Sequence, residues 1–131
     1  MDKNKLNISE IENFFYNLLS GTVSNQVFRG SYPTAINSAW NDMVIIDCAS
    51  MIKDYDSNGF GIVSILLYPA KNLGNGAKNV TVLAELETKL NQAIASNTST
   101  TYKINRAGVM TEYDTTRKLY YNVVFINTKI Y

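Results

Sequence analysis

The chain has 131 residues, 46% of them hydrophobic, which is enough for one packed domain and too few for two. Its 12 basic and 11 acidic residues leave a formal charge of +1, so no global field draws in nucleic acid or an anionic membrane. The basic residues are scattered from Lys3 to Lys129 without a block, which argues against nucleic-acid sequence recognition.

Charged residues make up 18% of the chain, below the usual share of roughly 25%. A surface poor in charge is consistent with part of it lying under a partner. Cys48 is the only cysteine, so no internal disulfide forms and a reducing cytoplasm fits. The opening "MDKNKLNISE" is polar and lacks the apolar run of a signal peptide. No apolar stretch approaches the ~20 residues that span a bilayer, so no membrane is expected as a partner.

The first predicted element is a helix starting at Ser9, which has capping-box spacing to Glu12. Ile8, Ile11, Phe15 and Leu18, joined by Phe14 and Leu19, make one apolar stripe at helical spacing. Gly21 supplies the stop. Val27-Phe28 forms a short strand, interrupted by Gly30 and Pro33. Residues 34–42 have no period and are expected as an ordered excursion. Within it, the Trp40 ring either packs under the sheet or anchors a neighbour.

Met43–Ala49 and Ile62–Tyr68 are strands, joined through a polar turn ending at Asn58-Gly59 into an antiparallel hairpin. A Gly- and Asn-rich loop over 69–79 follows. The second helix begins near Asn79 or Thr81 and buries Leu83, Leu86, Leu90, Ala93 and Ile94. Strands over 102–110 and 119–131 close the chain around a turn at Asp114-Thr115-Thr116. The expected fold is α+β, one domain over residues 1–131. It comprises a mostly antiparallel sheet of about four to five strands, with two helices packed on one face.

The last strand, "KLYYNVVFINTKIY", is apolar on both sides. Leu119, Tyr121, Val123 and Phe125 point one way; Tyr120, Val124, Ile126 and Ile130 point the other. An antiparallel sheet with one wet face alternates apolar with polar residues. Helices cover one side, so the second requires a cover: either the 30–42 segment or another copy of the protein. Each large apolar side chain left in water forgoes about 1.5–3 kcal/mol.

Catalytic chemistry finds no residues here. The sequence has no histidine, the commonest general base and metal ligand. Cys48 lies in an apolar strand without a base and is expected as a core residue. "NLGNGAK" lacks the phosphate-loop spacing. "DYDSNG" matches half of a calcium loop through Asp54, Asp56 and Asn58. The position for its bidentate glutamate is Ile65, and a plain turn accounts for the same residues. Glu112 and Asp114 are expected as solvated turn residues. No cofactor, metal or catalytic residue is expected, and the chain is not expected to be an enzyme.

The order of these features resembles the tail-terminator (tail-completion, head–tail joining) proteins of long-tailed bacteriophages. The residues carrying the likeness are Val27-Phe28-Arg29-Gly30 with Pro33, Asp42-Met43-Val44-Ile45-Ile46, the helix Leu83 to Ile94, and Tyr121-Asn122-Val123-Val124-Phe125. It covers nearly the whole chain in layout and length, and Ala35–Trp40 departs from the simpler link of such proteins. The resemblance implies a homo-oligomeric, commonly hexameric ring that caps the tail tube and meets the head connector. Tail-tube and head-connector proteins would be its partners. It would be found in the bacterial cytoplasm during assembly and in the virion tail thereafter. On this reading the second apolar face, with Tyr120, Asn122, Val124 and Ile126, forms the oligomer interface. Tyr32, Pro33, Trp40, Leu73 and Asn75 would lie in partner-contact loops. A small binding module with a ligand pocket near Trp40 is the alternative.

Overall fold

Helix α1 spans Ile8–Leu19 and turns Ile11, Phe15 and Leu19 of its apolar stripe inward, while Ile8 at its start is exposed. Gly21 takes φ +78° just beyond it, the left-handed conformation that closes helices and that a side chain disfavours. Helix α2 spans Val80–Ala95 and buries Val82, Leu83, Leu86, Leu90 and Ala93. The Asn79 side chain accepts a hydrogen bond from the Val82 backbone N–H at 3.3 Å, capping its first turn. The computed structural model describes residues 8–48, 53–55, 58–71 and 76–131.

The strands are β1 (Val27–Arg29), β2 (Asp42–Asp47), β3 (Lys53–Tyr55), β4 (Asn58–Pro69), β5 (Tyr102–Asp114) and β6 (Leu119–Ile130). They form one sheet in the order β1-β2-β4-β6-β5, with β3 also paired to β4. Among the described strands only the β1–β2 pair is parallel, so the sheet is mostly antiparallel within an α+β fold. The expected hairpin differs in detail. β4 begins at Asn58 instead of Ile62, because Gly59 and Phe60 extend the ladder with Ile130 and Lys129 of β6. On the other side the same residues pair with Asp54 and Lys53 of β3.

Period-two alternation sorts the sheet into two faces. On one, Val44, Ile46, Val63, Ile65, Leu67, Val124, Ile126 and Ile130 meet the apolar faces of α1 and α2. On the other, Met43, Ile45, Tyr68 and Leu119 form a smaller cluster under Phe28, Tyr32 and Ile36. The irregular segment after β1 therefore covers this cluster on the second face, through Tyr32 and Ile36. Gly30 starts it with φ +77° while its N–H donates to the Ile46 carbonyl at 2.7 Å.

Candidate functional site

The interface expected on β6 is not available to a partner. Asn122 is 5% exposed, and Val124 and Ile126 are 0% exposed. β6 lies between β4 and β5, and the face carrying these residues is the one the helices cover. Tyr120 is half-buried, its ring edge-on to Tyr113 at 4.8 Å between centroids. Asn122 accepts from the Thr111 hydroxyl at 2.8 Å, which satisfies its buried oxygen. The alternation along β6 was legible; which of its two faces the helices take was not.

On the opposite face the 30–41 segment is clipped down by a polar latch. Asp114 sits at the end of β5, next to the turn into β6. One of its carboxylate oxygens accepts from the Tyr32 hydroxyl at 2.9 Å and the Tyr68 hydroxyl at 3.4 Å. The other accepts from the backbone N–H groups of Thr116 and Arg117 at 3.0 and 2.9 Å. The Arg117 guanidinium lies 4.2 Å from the Tyr32 ring centroid and donates to the Pro33 carbonyl. Tyr32 stands edge-on to Tyr68, which stacks on Tyr121 at 4.3 Å. Burial first, then the hydrogen bond to Asp114, pushes the Tyr32 hydroxyl far above its ordinary pKa.

Asp114 is therefore a structural acceptor, not a solvated turn residue. Tyr32 is engaged within its own chain, and Pro33 is half-buried beside it.

Beyond the latch no other described element covers the second face. Phe60, Ile62 and Phe125 are half-buried there, and Met110 on the neighbouring strand is 43% exposed. β5 is also an edge: among the described residues its 13 residues pair with β6 alone. Lys103, Arg106 and a bulge between Arg106 and Gly108 blunt its first half. Arg106 is held by Glu87 at 2.9 Å and by Asn91 of α2. The second half is less protected, with Val109 at 44%, Met110 at 43% and Tyr113 at 43% exposure. An open apolar edge is a template for strand addition.

Trp40 is half-buried and packs against Phe28, with ring centroids 5.8 Å apart. It borders a polar cleft of about 400 Å³ whose walls include Ser24, Asn25, Asn41, Asp42 and Lys89. Ser24 donates to Asp42 at 2.6 Å, holding that carboxylate against the wall. Cys48 is 2% exposed, with a thiol raised by burial to about 11, so it carries no nucleophile.

Leu73, Asn75 and Asp56 lie outside the described residues. Asp54 and Asn58 are placed by their backbones, in β3 and at the start of β4. Among the described residues no cluster of three or more metal-ligating side chains occurs, and no helix is long and apolar enough to cross a membrane. No known protein-family model matches the chain, and no curated protein matches it.

Proposed function

We propose that this protein is a non-enzymatic structural subunit that works as a closed ring of identical copies. In this it would resemble the tail-terminator proteins that cap the tail tube of long-tailed phages and join it to the head. One observation carries the reading: the second half of β5, residues 109–113, has no described strand on its outer side and carries three large apolar side chains that are 43–44% exposed. A sister chain adding its own strand there would pair the open backbone groups and cover Val109 and Tyr113. Repeated head to tail, such a contact closes into a ring when its rotation allows. The Phe60–Ile62–Phe125 strip and the low charge content favour the same reading. Its partners would be tail-tube and head-connector proteins, met in the bacterial cytoplasm during assembly and kept in the virion tail.

Size-exclusion chromatography with light scattering tests the proposal. A multi-copy species of fixed stoichiometry is expected. A monomer at every concentration up to the solubility limit overturns it.

The cleft beside Trp40 favours a second reading, a module that binds a small polar ligand. Tryptophan fluorescence titrated with polar metabolites is its test, because Trp40 is the only indole in the chain. A saturable change is expected on this reading, and an invariant spectrum rejects it.

A further inference from the structure

The part of the helix-free face beyond the latch carries a charge pattern that is complementary to itself. Across the β5–β6 pair, the residues on this face stand in five rows: Lys103 with Lys129, Asn105 with Asn127, Gly108 with Phe125, Met110 with Val123, and Glu112 with Tyr121. Two cations are directly opposite each other at one end, an arrangement that a sheet disfavours unless an anion meets it. Glu112 stands at the other end; Asp114, one row further and opposite Leu119, is taken up by the latch. Gly108 and Phe125 occupy the middle row, at equal distance from both ends. Ile62 and Phe60 of β4 extend the apolar part beside Asn127 and Lys129. Among the described residues, the side chains of Lys103, Lys129 and Glu112 have no ion pair or hydrogen bond.

We infer that this face binds the same face of a second copy about a two-fold axis through the Gly108–Phe125 row. That rotation brings Lys103 and Lys129 of one copy over Glu112 of the other, and the reverse. The apolar centre, Phe125 with Ile62 and Met110, then packs against itself. Such an isologous contact is what a patch with opposite charges at equal distances from its centre fits. Other macromolecules fit less well. A nucleic-acid strand would meet Glu112 at one end of the strip, and an acidic peptide would leave the same carboxylate facing its own sign.

The strip spans about 27 Å along β6 and about 10–14 Å across the strands, so roughly 300–400 Å² per copy. A standard stable complex buries about 800 Å² per partner. Pairing is therefore concentration-dependent between single copies. It becomes firm when several such contacts act at once, as between two stacked rings. The inference does not depend on the ring, because an isologous face pairs copies two by two whatever the edge strand does.

Gly108→Cys supplies the test. A Cβ at Gly108 meets nothing within 4 Å, and the native Cys48 is buried, so the new thiol is the accessible one. Position 108 lies on the proposed axis, so the two-fold contact brings it next to its own copy. We expect a short bis-maleimide to link this variant into covalent dimers. Adding Lys129→Glu should weaken dimer formation about tenfold, since two symmetric contacts turn from attraction to repulsion. Adding both Lys103→Glu and Glu112→Lys to that pair should restore it, because every charge at the two ends is then reversed together. Oligomers by light scattering without cross-linking at position 108 overturn the face pairing and leave the ring reading standing. Cross-linking that ignores the charge reversals overturns the two-fold arrangement. A strict monomer with no cross-linking overturns both.

Discussion

Replacing Tyr32 with phenylalanine removes one oxygen and tests whether the latch fastens the excursion to the sheet. The lost contact is a 2.9 Å hydrogen bond to the Asp114 carboxylate, an ionised acceptor at the margin of the core. Hydrogen bonds to charged groups contribute about 1.5–3 kcal/mol. The lower end applies here, because Asp114 still accepts from Thr116, Arg117 and Tyr68 and is not left orphaned. The ring itself keeps its contacts with Tyr68 and Arg117. A loss of about 1.5–2 kcal/mol is expected.

Unfolding entropy near 2.1 cal/mol/K per residue gives roughly 0.28 kcal/mol/K for a chain of this length, so Tm should fall by about 5–7 °C. Denaturant unfolding, at unchanged m value, measures the free energy directly. A double-mutant cycle with Asp114→Asn should return a coupling of about 1 kcal/mol or more. A Tyr32→Phe protein within 0.5 kcal/mol of the parent refutes the idea that this bond holds the segment down.

Three further outcomes follow from the packing. Leu86→Ala, at a 0% exposed position between α2 and the sheet, should cost about 2–5 kcal/mol through the cavity it opens, read by chemical denaturation. Lys118 ends the β5–β6 turn at φ 57°, and Lys118→Gly should stabilise the fold by about 0.5–1 kcal/mol, the relief of left-handed strain less the added freedom of the unfolded chain. Cys48 should resist thiol reagents in the native state near neutral pH. Its folded pKa is raised from 9.0 to about 11, so the unfolded chain loses this proton first. Its stabilising effect is complete below about pH 9 and is lost as pH rises toward 11, seen as a falling Tm over that window.

How far the sequence carried the fold depended on what each signal was about. Helix positions were legible because Ile11, Phe15 and Leu19, then Leu83, Leu86 and Leu90, repeat at the helical period and are buried as that period requires. The β6 alternation was legible for the same reason. What the chain did not announce was which face of β6 the helices choose, since both faces are apolar. That choice depends on the sheet order and the packing of α1 and α2, which are long-range facts. So Asn122, Val124 and Ile126 lie in the core instead of at an interface. The excursion was legible as irregular, but not as a cover. Its hold depends on Tyr32 meeting Asp114, 82 positions along the chain, and no local pattern carries that information. The early start of β4 was hidden because Asn58-Gly59 has the composition of a turn while its backbone continues the ladder.

Hydrogen exchange along β5 tests the central claim, that sister chains cover this edge, more directly than any other measurement. Compared in dilute and concentrated protein, the backbone amides of residues 109–113 that do not face β6 should gain protection as copies associate, while the amides of α2 stay unchanged. Assembly without any added protection on that strand, or equal exchange at every concentration, contradicts the account.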